Sequence, residues 1–199
     1  MSHATKSGEK SRKDDFLLAM YRETWGNINR HILVVWQSVA ALLGAFAVLA
    51  LIEKKVLPID LACALLVLIC AWVGAHVIDS NYWFARNLII ITNIERQFLS
   101  RHDARLIHPY FLKDRPPSML DHLYVQACLA GGVLALVIGW HFFTRVTPGF
   151  ASPLSNFDPA RVLPYLVFIV SAGCLMRLRK KQKKATAWLI RESPGAPVE

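Results

Sequence analysis

Four long apolar runs, separated by polar segments rich in charge, dominate the chain. The runs cover residues 32–52, 61–78, 123–140 and 162–176, and none of them contains Asp, Glu, Lys or Arg. A bilayer core of about 30 Å requires about 20 apolar residues in a helix. The runs have 21, 18, 18 and 15 residues, and the last contains Pro164 and needs Arg161 and Arg177 to reach opposite headgroup layers. We predict an all-α integral membrane protein with four transmembrane helices arranged as two hairpins.

The basic residues alternate along the chain in step with these runs. Residues 1–31, 53–57, 80–118, 144–161 and 177–199 contain six, two, six, two and seven Lys or Arg, which accounts for all 23. Lys and Arg concentrate on the cytoplasmic side of membrane proteins. The pattern predicts a multi-pass protein of the bacterial inner membrane with both termini in the cytoplasm. It also explains the net charge of +9 without a nucleic-acid partner, and we expect none.

Between the two hairpins lies the segment DSNYWFARNLIIITNIERQFLSR, which no Gly or Pro separates from the second run. We predict that residues 80–103 form a long helix, here called the stalk, that continues from the second span. Two orientations stay open. The stalk either projects into the cytosol or lies flat at the interface, anchored by Tyr82, Trp83 and Phe84.

The remaining segments complete the predicted organisation. Residues 1–12 are polar and aperiodic, which predicts a disordered tail. Residues 13–31 have an apolar face that includes Leu17, Tyr21, Trp25 and Ile28, which predicts an amphipathic helix. The other boundaries are 32–79 for the first hairpin, 104–118 for a loop, 119–177 for the second hairpin and 178–199 for a basic cytosolic tail.

The stalk carries the candidate interface residues. Its apolar side and its polar stripe imply more than one neighbour: the helix over 13–31, another copy of the chain, or a cytosolic protein. The residues that we assign to this partner or assembly interface are Trp25, Trp83, Arg86, Asn87, Asn93, Glu95, Arg96 and Gln97.

Two further groups are candidate sites. His76 and Asp79 are one turn apart at the end of the second span, where they form either a pH-sensitive pair or an ordinary hydrated pair at headgroup depth. The basic cluster after the last span favours anionic lipid or serves as a topology anchor. It consists of Arg177, Arg179, Lys180, Lys181, Lys183 and Lys184.

Catalytic and metal-binding motifs do not appear. The sequence contains no GxGxxG, GxxxxGK[ST], HExxH, GxSxG or CxxC motif, and its seven His residues are scattered. Four Cys residues lie within the predicted spans, where we expect packing rather than disulfide or metal chemistry. We expect neither an enzyme nor a cofactor.

The segments YRETWGNINRHILVVWQ (21–37) and YWFARNLIIITNIERQFL resemble those of the SLATT-type small membrane proteins of bacteria. The resemblance covers residues 14–103 and does not include the second hairpin. It implies a membrane-perturbing or pore-forming effector of anti-phage and conflict systems. We therefore expect a self-assembling membrane sensor or pore-type effector in defence or stress. The alternative is a non-conducting scaffold that positions a cytosolic partner protein at the bilayer.

Overall fold

The computed structural model describes residues 2–100, 102–107, 109, 121–151 and 158–192, and this part of the chain is helical without a strand. The α-helices are α1 (Ser2–Glu53), α2 (Ile59–Phe98), α3 (Asp121–His141) and α4 (Leu163–Glu192). A π-helix covers Phe142–Val146, and 3₁₀ turns cover Asp103–Arg105, Thr147–Ala151 and Pro159–Val162. The predicted all-α class is confirmed for these residues.

Helix α1 is longer than the sequence analysis predicts. The expected disordered tail over residues 1–12 is wrong from Ser2 onward, because α1 runs unbroken from Ser2 to Glu53. The predicted boundary at residue 31 is not a break in the helix, but it lies close to the division between two compact units, which falls after Leu33. Once a helix is nucleated, each added residue gains one hydrogen bond without a new nucleation cost. No Pro interrupts the chain before Pro58, so the helix extends through the polar N-terminal residues.

A Schellman-type turn ends α1. The amide of Lys55 donates to the carbonyl of Ile52 (2.9 Å), and the amide of Val56 donates to the carbonyl of Leu51 (3.0 Å). Lys55 has φ of 55°, a left-handed conformation that Gly usually supplies at this position. Pro58 follows and allows α2 to begin at Ile59.

Helix α2 joins the second apolar run to the stalk in one helix of 40 residues. The predicted continuity is confirmed, although α2 ends at Phe98 rather than at residue 103. After this end, both the amide and the hydroxyl of Ser100 donate to Asp103 Oδ2, at 2.7 and 2.8 Å. These donors lower the pKa of the Asp103 carboxyl, so the turn is stabilised at neutral pH and loses this contribution as the pH falls through that lowered value.

The second half of the chain also departs from the predicted boundaries. Helix α3 matches the third apolar run closely. The residues predicted as a basic tail from 178 are helical as far as Glu192, because α4 continues through the basic cluster. Most of the loop predicted over 104–118, and residues 193–199 of the tail, lie outside the described residues.

The chain divides into two compact units. The first, here called the stalk unit, comprises Met1–Leu33, Tyr82–Met119 and Lys183–Glu199; the second, the span unit, comprises Val34–Asn81 and Leu120–Gln182. In the stalk unit, Ile28 of α1 packs with Leu88 and Ile91 of α2, flanked by Tyr21, Trp25 and Phe84. In the span unit, the buried side chains of one core come from α1, α2 and α3: Ala45, Cys63, Leu66 and Val137.

Three helices are long and apolar enough to cross a membrane: Ile59–Phe98, Leu123–Phe150 and Pro159–Glu192. The apolar part of α1 qualifies only as a shorter helix, Val39–Glu53, among the described residues. The structure therefore supports a membrane protein with three candidate spans. The fourth span and the hairpin topology stay predictions.

Candidate functional site

A set of polar side chains joins the ends of three helices in the span unit. Asp60 lies in the first turn of α2, His141 is the last residue of α3, Arg145 lies in the π-helix that follows, and Tyr165 lies in the first turn of α4. These four residues are called the helix-end cluster. The local sequence explains these positions. Pro58 and Pro164 lie at the starts of α2 and α4, close to Asp60 and Tyr165. His141 and Arg145 are one helical turn apart and therefore share a face.

Asp60 is the acceptor at the centre of the cluster. Arg145 donates from Nε to Oδ1 (3.1 Å) and from Nη2 to Oδ2 (2.8 Å), which is a two-pronged ion pair. The Nε2 atom of His141 lies 2.8 Å from Oδ1 of Asp60. The Asp60 side chain is only 6% exposed, so these donors replace the water that an ionised carboxylate requires.

His141 is fully buried and bridges Asp60 to Tyr165. Its Nδ1 atom lies 2.9 Å from the Tyr165 hydroxyl, and the two rings meet edge to face with centroids 5.4 Å apart. Both ring nitrogens of His141 are therefore engaged, one with a carboxylate and one with a phenol. This arrangement fixes the orientation of the imidazole.

Arg145 also reaches towards solvent, where a second carboxylate lies nearby. Its Nη2 atom is 3.5 Å from Asp158 Oδ2, and the Arg145 and Asp158 side chains are 31% and 43% exposed. Asp158 also accepts a hydrogen bond from the amide of Ala160 and so caps the 3₁₀ turn before α4. The cluster thus runs from a buried imidazole to an exposed acid.

The sequence analysis did not assemble this cluster. No spacing rule connects Asp60 to His141 and Arg145, which lie 81 and 85 residues away in the sequence. One local signal was available. His141 comes directly after the third apolar run, and Arg145 lies one helical turn further along, so two polar side chains share one helix face at the end of the span. Among the described residues, no group of three His, Cys, Asp or Glu side chains is arranged to hold a metal ion.

The predicted interface residues of the stalk unit separate into an inner and an outer group. Trp25 packs against the cluster formed by Ile28, Leu88 and Ile91. Glu95 is buried in α2 and accepts a hydrogen bond from the Tyr21 hydroxyl at 3.3 Å. Of the three neighbours considered for the stalk, the structure therefore shows one, which is helix α1 of the same chain.

Asn87 belongs to the inner group as well. It is buried, and its Nδ2 atom has no hydrogen-bond partner in the described part of the chain. An unsatisfied buried amide costs about 1–3 kcal/mol.

The outer group lies on a different side of α2. The Arg86 guanidinium lies 5.0 Å from the centroid of the exposed Trp83 ring, a cation–π distance. Gln97 is exposed and donates to the carbonyl of Asn93 at 3.3 Å. Asn93 and Arg96 are half-buried. Their assignment to a contact between copies or with a partner stays a prediction.

His76 and Asp79 each engage a neighbour in the span unit. The His76 ring stacks on Trp72 with centroids 5.2 Å apart. Asp79 Oδ1 accepts a hydrogen bond from Gln182 Nε2 of α4 at 2.8 Å. Asp79 therefore links α2 to α4, and both interpretations of the His76 and Asp79 pair stay predictions.

The six residues of the basic cluster are all exposed on α4. They are Arg177, Arg179, Lys180, Lys181, Lys183 and Lys184. Their ammonium and guanidinium groups are accessible to anionic headgroups.

Together, the fold and the helix-end cluster define a helical protein with three candidate spans whose helix ends are joined by buried ionic hydrogen bonds. No protein-family model, no curated protein and no solved structure matches the chain. The functional argument therefore depends on the chemistry of the chain itself.

Proposed function

We propose that the chain is a multi-pass protein of the bacterial inner membrane that self-assembles and acts as a membrane sensor or pore-type effector in defence or stress. The observation that carries this proposal is the poor coverage of the candidate spans by the chain itself. The apolar windows of the three spans are 44%, 22% and 6% buried, in chain order. The chain itself therefore leaves most of the apolar surface of the last two spans uncovered, and this surface is available to lipid and to other copies.

Open glycines on the same helices support assembly. A Cβ atom built on Gly131, Gly132 or Gly139 of α3, or on Gly173 of α4, would meet no atom within 4 Å. Small residues allow close approach of helices in lipid, where van der Waals packing drives association. A neighbouring copy can therefore approach these backbones.

Mass measurement of the protein in mild detergent tests the assembly. The wild-type chain should form a discrete oligomer, and Gly132→Leu should weaken it because the added side chain keeps the neighbouring helix away. Gly26→Leu is the matched control, since Gly26 is also open but lies outside the predicted spans. A monomeric wild-type protein would contradict the proposal.

Dye or ion release from liposomes that contain the purified protein tests the pore-type role. Release should depend on the oligomer, so that Gly132→Leu reduces it and Gly26→Leu does not. An oligomer that stays impermeable while it retains a cytosolic protein would favour the scaffold instead.

The scaffold is the second candidate, and the outer group of the stalk favours it. Arg86, Asn93 and Gln97 form a polar stripe that is half-buried to exposed. Replacing all three by Ala should abolish retention of the partner in a pull-down if the stripe is an interface. If assembly and retention both survive, the stripe is only solvated.

A further inference from the structure

Helix α4 has one face that packs against α2 within the span unit. Leu175 lies against Gly74 of α2, where a Cβ atom would be 3.4 Å from Leu175 Cδ1. Gln182 lies two turns further along the same face of α4 and donates to Asp79 of α2 at 2.8 Å. Helix α2 therefore covers the side of α4 that carries Leu175 and Gln182.

The opposite face of α4 is apolar and open over the span. At 3.6 residues per turn, four large apolar side chains fall on this side of the helix, and each is between 55% and 67% exposed. They are Leu166, Ile169, Val170 and Met176. An exposed apolar surface of this kind marks a contact with a membrane or with another protein.

The same face becomes basic where the apolar run ends. Arg177 lies two turns after Val170, and Lys180 and Lys181 lie one turn after Arg177, so these side chains continue the line of the apolar ones. All three are exposed, and α4 contains no Asp or Glu before its last residue. One side of a single helix therefore joins an apolar surface directly to a surface of positive charge.

The length of the apolar part matches one leaflet of a bilayer. Leu166 and Met176 are ten residues apart, which is about 15 Å of helix. Half of a hydrocarbon core of about 30 Å is the same length. With the apolar part in one leaflet, Arg177, Lys180 and Lys181 lie at the level of the lipid headgroups.

We propose that this face of α4 binds an anionic phospholipid lengthwise, with its acyl chains along the apolar residues and its phosphate at Arg177, Lys180 and Lys181. The Arg177 guanidinium suits two hydrogen bonds to one phosphate, and the two Lys residues add positive charge. Basic residues beside a span attract anionic lipids. A nucleic acid or an acidic protein would pair with the basic part only, whereas a phospholipid covers both parts.

The proposal rests on α4 as a membrane span, which belongs to the proposed function, but not on assembly or on pore formation. It also separates the two interpretations of the basic cluster. A topology anchor needs positive charge on any side of the helix. A lipid site needs it on the side that carries the apolar residues.

Native mass spectrometry of the full-length protein in mild detergent measures the binding. Phosphatidylglycerol is compared with phosphatidylcholine of the same acyl chains, and the wild type should bind phosphatidylglycerol more tightly. Replacing Arg177 and Lys181 together by Gln should weaken phosphatidylglycerol binding by up to about thirtyfold, the combined contribution of two basic residues near an anionic surface. Binding of phosphatidylcholine should not change.

The matched control replaces Arg179 and Lys183 together by Gln. This pair is also exposed and one turn apart, and its loss removes the same charge, but it lies on another side of α4. The control should bind phosphatidylglycerol as the wild type does. Equal losses in the two variants, or a wild type without preference for phosphatidylglycerol, would overturn the lipid site.

A competition experiment tests the apolar half without a substitution. Glycerophosphoglycerol, which is the same headgroup without acyl chains, should not displace bound phosphatidylglycerol. Displacement by this compound or by a short DNA duplex would show that charge alone is recognised and would overturn the proposal. The same spectra give the mass of the oligomer, so an assembled protein without lipid preference would contradict the lipid site and leave the proposed function intact.

Discussion

The stalk unit and the helix-end cluster of the span unit hold helices together by opposite means. In the stalk unit, Ile28, Leu88 and Ile91 pack apolar surfaces, and the Tyr21 hydroxyl donates a long hydrogen bond to Glu95. In the helix-end cluster, ionic and neutral hydrogen bonds of 2.8–3.1 Å link Asp60, His141, Arg145 and Tyr165. Apolar packing depends on the surface and volume that it buries, whereas a polar cluster depends on the charge of every member.

The two regions are therefore sensitive to different kinds of substitution. Removing one methylene from the stalk contact lowers the free energy of unfolding in proportion to the apolar surface that is no longer buried. Removing one partner from the helix-end cluster leaves other buried polar groups without acceptors. The predictions that follow test this contrast with matched substitutions.

The largest effect is expected for Asp60→Ala. The change leaves Arg145 without its main partner and the buried Nε2–H of His141 without an acceptor, which should cost about 3 kcal/mol of unfolding free energy. Denaturant unfolding in detergent micelles measures it. Asp121→Ala is the control, since Asp121 also lies in the first turn of a helix but is exposed, and it should change stability by less than about 0.5 kcal/mol. Equal effects would contradict the central role of Asp60.

Ile91→Ala should cost about 2 kcal/mol, because Ile91 is fully buried in the stalk contact and the truncation leaves a cavity. The same substitution at Ile190, which is exposed on α4, should change little. Hydrogen exchange should place the loss in the stalk unit. If Ile190→Ala is as destabilising, the apolar contact is not what stabilises this unit.

The contrast between the two regions also decides what could be predicted from the sequence. The stalk contact follows from the period of apolar residues, since Tyr21, Trp25 and Ile28 recur on one helix face and the stalk has a matching face. The continuity of α2 follows from the absence of Gly and Pro between its two halves. Both features are local. The continuity of α2 was predicted, and the stalk contact with α1 was one of the three neighbours that the sequence left open.

The helix-end cluster could not be found in this way. Asp60 has an ordinary local role at a helix start, and only the tertiary fold brings it to His141, 81 residues away. The N-terminal tail was mispredicted for a different reason. Its composition lacks an apolar face, but the helix that follows it removes the nucleation cost.

Tyr21→Phe tests the weak polar contribution to the stalk contact. Loss of the hydrogen bond to Glu95 should cost about 0.5–1 kcal/mol, at the low end for such bonds because the contact is long. Tyr82→Phe, which keeps its ring contact with Trp83, should change stability by less than about 0.5 kcal/mol. Thermal unfolding of both variants beside the wild type measures the difference. A cost above that of Asp60→Ala would reverse the contrast.

Lys55→Gly should have the smallest effect and the opposite sign. Lys55 has φ of 55°, which an L side chain adopts only at a cost, so Gly should stabilise the turn after α1 by about 0.5 kcal/mol. Lys54→Gly is the control and should bring no gain, since only Lys55 has a positive φ among the described non-glycine residues. Unchanged or lower stability in Lys55→Gly would show that the turn is not strained.

The insertion of the chain in the membrane is the claim on which the rest of the account depends, and reporter fusions test it most directly. The alternation of basic residues predicts that an enzyme active only outside the cytoplasm works when fused after Lys55 and after Ser155, and fails when fused after His108. A fluorescent protein that matures only in the cytoplasm should give the reverse pattern at the same three points. An active external reporter at His108, or an inactive one at Lys55, would contradict the predicted threading.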